Sequence, residues 1–254
     1  GTVEYTSGSG ATALSSAAMT GSNKFYNLII NGTGTFGAGV DITVANDFNI
    51  TSGTFTAPSG TLLIGRNFTN GGTYTHNSGT IQFDTLANVS DIAGATTFHN
   101  FTVTTAGKDI EFTAGQTFTI NGLLTLTGTS GAGNDVTLNS TTGSSSWTIN
   151  HQGTENISYT TVTWGACDGA STGINMYSGT GNANGGNNGV CWFYTDPSIT
   201  ISGILYDTDG STPYATVTAM KLSIEGATAL TTNSVITTGV FSFTAESAPA
   251  AGDD

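Results

Sequence analysis

Charged side chains are scarce in this sequence: they fill 8% of its 254 positions, against roughly a quarter in an ordinary globular domain. Only Lys24, Arg66, Lys108 and Lys221 are basic, and the formal net charge is -13. Such a chain repels phosphate backbones and anionic headgroups and has no basic stripe, so neither nucleic acid nor membrane insertion is expected. No stretch approaches the 18 or more apolar residues of a spanning helix. Helix-forming Ala, Leu, Glu and Lys never cluster at a 3.6-residue period, except that Ala11 to Met19 could form one short helix. Cysteine is nearly absent too. Cys167 and Cys191 are the pair, 24 residues apart, with no CxxC and no nearby histidine to suggest a metal. Two readings remain for them, buried free thiols or a disulfide in an oxidising compartment, and the second is favoured.

What the chain does have is glycine, 36 residues, and threonine at about a fifth of all positions. Threonine is β-branched and suits a pleated backbone, while glycine serves tight turns. Disorder is excluded by a 37% hydrophobic content that includes 13 Phe, 8 Tyr and 3 Trp. The expectation is therefore an all-β fold.

Internal repetition sets the organisation. Gly1-Thr-Val-Glu-Tyr5 matches Gly79-Thr-Ile-Gln-Phe83 at an offset of 78, and Phe25-Tyr-Asn27 matches Phe98-His-Asn100 at 73. Asp41 to Thr51 aligns without gaps to Thr117 to Thr127 at 76, so a module of about 75 residues occurs twice. A shorter period lies inside it. Val44 to Ile64 and Phe48 to Phe68 are 20 apart, and Phe55 to Tyr74 and Ile64 to Phe83 are 19. A coil of about 20 residues, with inward apolar residues at alternate positions, stacks such residues in columns and predicts a β-solenoid (parallel β-helix) over 1–195. An antiparallel sandwich is the competitor, but it does not explain inward residues that repeat in kind at a fixed period.

On the step Phe25-Tyr-Asn-Leu-Ile-Ile30 and the close Gly185-Gly-Asn-Asn-Gly-Val-Cys-Trp-Phe193, the chain resembles the parallel β-helix repeat segments of large bacterial secreted and surface proteins. Asp196-Pro197-Ser198 marks a boundary, and the composition changes after it. Ile199 to Tyr206, Ala215 to Leu222 and Gly239 to Phe243 resemble the first strands of a carboxypeptidase-regulatory-like or Cna-B-like module, an Ig-like/transthyretin-like β-sandwich spanning 196–254. Such sandwiches need about seven strands. The segments visible before Asp254 number four or five, so the module reads as partial, cut from a longer chain or completed by a strand from a neighbour. The start at Gly1 without Met is read as the mark of a mature piece.

No catalytic or cofactor-binding residue is expected. Asp109 and Glu111 share a strand face and resemble a glycosidase carboxylate pair, but a solvated face explains them as well. His76, His99 and His151 occur singly, without metal-ligand spacing. Asp207 and Asp209, in Asp-Thr-Asp-Gly, are the weak metal candidates, for calcium, against a plain Asp-Gly turn. Lys221 is the sole lysine available in 196–254 for an isopeptide bond. Sequons fall at Asn31, Asn49, Asn67, Asn88, Asn100, Asn139 and Asn156. The expected function is structural, a subunit of an extracellular or cell-surface filament or surface layer whose partner is itself, head to tail. An adhesin or surface-glycan binder that stacks sugars on Tyr5, Tyr26, Tyr74 or Trp164 is the alternative, and a polysaccharide-degrading enzyme with carboxylates beside Arg66 or a lysine is the third.

Overall fold

Alternation of apolar and polar residues at period two makes each short segment a strand with one inward and one outward face. In Thr80–Phe83 the inward residues are Ile81 and Phe83, and in Asn100–Val103 they are Phe101 and Val103, all buried. The computed structural model describes residues 1–6, 10–14, 24–85, 89–177 and 179–193 of a first unit, Gly1–Tyr194, and 199–204, 206, 212–213, 221–222, 230–231 and 240–245 of a second, Thr195–Asp254.

The first unit is a parallel β-solenoid of about eight turns, with no helix among the described residues. Each coil visits three faces. The first carries Thr2–Tyr5, Asn27–Gly37, Phe48–Thr56, Phe68–Asn70, Ser90–Ala93, Asp109–Phe112, Val136–Ser140, Thr160–Thr163 and Ala183–Gly186, hydrogen-bonded in that order. The second runs from Lys24–Phe25 through Ile42–Val44, Thr61–Ile64, Thr80–Phe83, Asn100–Val103 and Leu123–Thr127 to Thr154–Ser158. The third contains Thr96–Phe98, Thr117–Ile120, Trp147–His151 and Gly165–Cys167. In the earlier coils this third position is taken by Ala11–Ala13, by the later halves of Asn27–Gly37 and Phe48–Thr56, and by Thr73–Thr75, which lies beside Thr96–Phe98.

The four spacings that suggested a coil are pairs in register: Val44 with Ile64, Phe48 with Phe68, Phe55 with Tyr74, and Ile64 with Phe83. Stacking of like on like fills the interior with rings. Phe48 lies 5.7 Å from Phe68, Phe68 5.7 Å from Phe98, and Phe98 5.6 Å from Phe101, between ring centroids. The path continues through Phe112 to Trp147, stacked at 4.2 Å, and from there to Trp192 at 6.0 Å. These rings form one core that winds through most of the coils.

The corner between the second and first faces is held by a polar ladder. Asn27 Oδ1 accepts from the Asp47 N–H at 3.2 Å, Asp47 Oδ1 from the Asn67 N–H at 3.3 Å, and Asn67 Oδ1 from the Asp91 N–H at 3.0 Å. Each side chain satisfies a backbone donor that the bend removes from the sheet. At the next corner of the fifth coil Gly94 adopts φ +84°, and a Cβ there would lie 2.0 Å from the Asn70 carbonyl oxygen, so only glycine fits.

One expectation changes. Ala11–Ala13 is a parallel strand against Thr35 to Gly37, not the start of a helix, because stacking on the next coil overrides a weak propensity; residues 15–19 lie outside the described set. The segments matched at offsets of 73 to 78 are real strands, yet they fall on different faces. Thr2–Tyr5 belongs to the first face and Thr80–Phe83 to the second, while Ile42–Val44 belongs to the second and Thr117–Ile120 to the third. The 75-residue match thus relates positions one face apart and not a whole number of coils.

In the second unit Ile199–Ile204 pairs antiparallel with Val240–Ala245, and Lys221–Leu222 with Leu230–Thr231. Because the solenoid core is one stacked column, truncating a ring removes contacts in two coils. Phe112→Ala is expected to lower the unfolding free energy by about 3–5 kcal/mol in urea titrations, whereas Thr102→Ala, on the outer side of the second face, changes it by no more than about 0.5 kcal/mol.

Candidate functional site

Cys167, at the end of the third-face strand Gly165–Cys167, is disulfide-bonded to Cys191. Directly after it, Trp192–Phe193 pairs in parallel with Ile174–Asn175. The buried Trp192 donates its Nε1–H to the Gly165 carbonyl at 3.0 Å, and Trp147 donates likewise to the Thr163 carbonyl at 3.2 Å. The bridge and Trp192 fasten the last described coil to the one before it, and Trp147 ties that coil to its own predecessor.

Asp109 and Glu111 share the outer side of Asp109–Phe112, as alternation requires. Glu111 stands opposite Asp91 in the preceding coil and Asn139 in the following one, and Asp109 accepts a hydrogen bond from the Thr137 hydroxyl. Partial burial, then Asp91 and Asp109, raise the Glu111 carboxyl above its ordinary value. Among the described residues no group of three or more His, Cys, Asp or Glu is arranged to hold a metal ion.

The histidines are not isolated. His76 and His99, in successive coils, stack at 5.4 Å with a 22° tilt, and His76 Nδ1 accepts from the Ser78 N–H at 3.0 Å. Burial, and then His99, lower His76 below its ordinary pKa. His151 is fully buried, with Nδ1 3.1 Å from the Thr172 hydroxyl and Nε2 3.3 Å from the Thr154 carbonyl. Burial lowers its pKa against opposing contributions from Thr154 and Glu155.

Of the aromatics expected on an outer face, Tyr26 is 57% exposed. Tyr5, Tyr74 and Trp164 instead pack against the core, Tyr5 edge-on to Phe36 and Tyr74 against Phe55, Phe68 and Phe98. Burial raises the Tyr74 phenol above its ordinary value. The sequons at Asn67 and Asn100 use their side-chain oxygens on the N–H groups of Asp91 and Leu123, and Asn100 also donates from Nδ2, the atom a glycan would occupy, to the Thr80 hydroxyl at 3.3 Å. Asp207, Asp209, Asn88 and the Lys221 side chain lie outside the described residues.

The basic residues part company. Arg66 is exposed beside Asp47 at 3.8 Å, and Lys24 is exposed on the second face. Lys108 is 0% exposed, and its Nζ donates to the Thr85 carbonyl at 2.8 Å. It stands one position before Asp109, whose partner Thr137 follows the buried Val136. A position in the apolar column is thus filled by a lysine. No motif marks it in the sequence; the signal is its place in the two-residue alternation with Ile110 and Phe112.

Compared with protein-family models, curated proteins and solved structures, the chain matches none.

Burial pushes the Lys108 ammonium down from 10.5 to about 8, partly offset by Asp109 and Asp84. Below about 8 both folded and unfolded chains carry the proton; between about 8 and 10.5 the folded chain releases it first. Stability is therefore expected to rise across that window, since the unfolded state binds more protons there. Urea midpoints measured at steps through this range should climb for the native chain relative to Lys108→Met, which retains the opposing effect of the raised Tyr74 phenol near the top of the range; parallel curves would show that Lys108 is not the source. Reduction of Cys167–Cys191 is expected to cost about 2–4 kcal/mol by freeing the loop it closes, read as a lower thermal midpoint with dithiothreitol than without.

Proposed function

We propose that the chain is a structural subunit of an extracellular or cell-surface filament or surface layer, assembled head to tail, with the solenoid as its stiff element. The observation that carries this reading is the unbroken ladder of the first face, nine strands joined in order along one axis by backbone hydrogen bonds. Behind it runs the ring stack from Phe48 to Trp192, and at its far end the disulfide. Such a ladder resists bending because every coil is bonded to both neighbours, and its stability accumulates from nearest-neighbour interfaces.

In this reading the chain is akin to the β-helix repeat segments of large bacterial surface proteins, and its second unit to a carboxypeptidase-regulatory-like or Cna-B-like sandwich. The two antiparallel pairs of that unit are consistent with such a module. An incomplete sandwich has an open edge, and a strand from the next subunit completes it without new side-chain chemistry. Of the four aromatics expected to stack sugars, Tyr5, Tyr74 and Trp164 pack against the core and Tyr26 is exposed, which favours assembly over adhesion. Lys108 is buried, and among the described residues Arg66 pairs with one carboxylate, Asp47, where the enzyme reading asks for several.

Electron microscopy of the purified chain, intact and reduced, tests the reading. Fibres or sheets with a fixed axial repeat are expected, lost on truncation before residue 196 and weakened by reduction. Discrete particles at every concentration, with sedimentation at the monomer mass, would rule assembly out.

A further inference from the structure

The three faces of the solenoid differ in what they show to solvent. Strands of the first face carry Glu4, Asp91, Asp109 and Glu111, and those of the second carry Lys24 and Glu155. The third-face segments, from Ala11–Ala13 to Gly165–Cys167, contain no Asp, Glu, Lys or Arg, and their one histidine, His151, is buried. In place of charge they carry threonine. Thr35, Thr54 and Thr73 form one outward column in register, and Thr56 stands on Thr75 in a second. Farther along, Thr97 pairs with Thr119 and Thr117 with Thr148.

These side chains are unengaged. On the first face threonine hydroxyls bond to acids, Thr137 to Asp109 and Thr161 to Asp135. Among the described residues, the hydroxyls of Thr54, Thr56, Thr73, Thr75, Thr117 and Thr119 have no such protein partner. They are also held still: threonine is stiff at χ1, and the strands beneath are backed by the fully buried Phe36, Phe55 and Phe118. Parallel strands repeat at about 4.8 Å, and alternate residues along a strand at about 6.6 Å. Where Thr54 stands on Thr73 and Thr56 on Thr75 the result is a rectangular patch of hydroxyl and methyl groups, and these general strand spacings lie near the oxygen repeats on the faces of hexagonal ice.

We propose that this threonine face binds the surface of ice crystals. Hydroxyls near lattice spacing take the places of surface water molecules, the methyls fill the hollows between them, and the patch loses little conformational entropy on binding because its backbone is already ordered. The absence of charge matters as much, since a carboxylate or ammonium orients its hydration water in a pattern that ice does not accept. This function is separate from assembly and does not depend on it.

The test uses the full chain. Ice-recrystallisation inhibition and the gap between melting and freezing points are measured beside a non-binding protein at equal mass. The native chain is expected to arrest grain growth and shape crystals. Thr56→Tyr and Thr75→Tyr should lose both effects, whereas Thr102→Tyr on the second face should keep them, with circular dichroism verifying the fold of each. Thr75→Ser keeps the hydroxyl, removes one methyl and should weaken the effect, which covers the case in which a tyrosine variant misfolds. A native chain no better than the control protein overturns the proposal, as does a folded Thr56→Tyr variant of full activity. So does a concentration-dependent dimer abolished by the same substitutions, which would place a second copy of the chain on this face.

Discussion

Parallel strands of successive coils must lie about 4.8 Å apart to share their backbone hydrogen bonds, and that spacing governs everything else in the solenoid. Once Phe48 is fixed over Phe68 and Val44 over Ile64, each residue's environment is set by the residue one coil away more than by its chain neighbours. Inward positions stack aromatic on aromatic, outward positions stack polar on polar, and corners repeat the same Asn or Asp because the same N–H needs an acceptor in each turn. Irregular coils are absorbed between strands: Ile110 to Leu138 spans 28 residues where Phe48 to Phe68 spans 20, yet both pairs are in register.

This dependence decides what could be read from the amino-acid sequence. Spacings of 19 and 20 were legible because hydrophobic columns repeat in kind, and they identify true partners in four cases. The strand at Ala11–Ala13 was not legible, since an alanine-rich stretch favours helix locally and only the neighbouring coil makes it extended. The match of Asp41 to Thr51 with Thr117 to Thr127 is genuine in pattern, but an apolar alternation looks the same on any of the three faces, so the shift from one face to the next was invisible. Tyr74 reads as a polar-tipped surface aromatic until its partner Phe55 places it in an inward column.

Lys108 shows the opposite limit. Its neighbours Asp109 and Glu111 suggest a solvated strand start, and the alternation alone contradicts that by aligning it with Ile110 and Phe112. A buried ammonium survives there because the Thr85 carbonyl accepts its hydrogen bond and because Asp109 and Asp84 lie near. The cysteine pair was easier: a loop of glycine, asparagine and serine separates the two, no CxxC or histidine beside them suggests a metal, and the bridge is formed.

Placement of that bridge has a mechanical meaning. A tensile load entering the chain beyond Cys191 passes straight to Cys167, so residues 168–190 carry no force and the final coil cannot be peeled away. Rupture would instead have to begin upstream of Cys167, where Trp147 and Phe112 are stacked and several strands must shear together. The terminal coil, ordinarily the easiest part of a solenoid to unravel, thereby becomes a fixed anchor through which traction is delivered to the body of the rod.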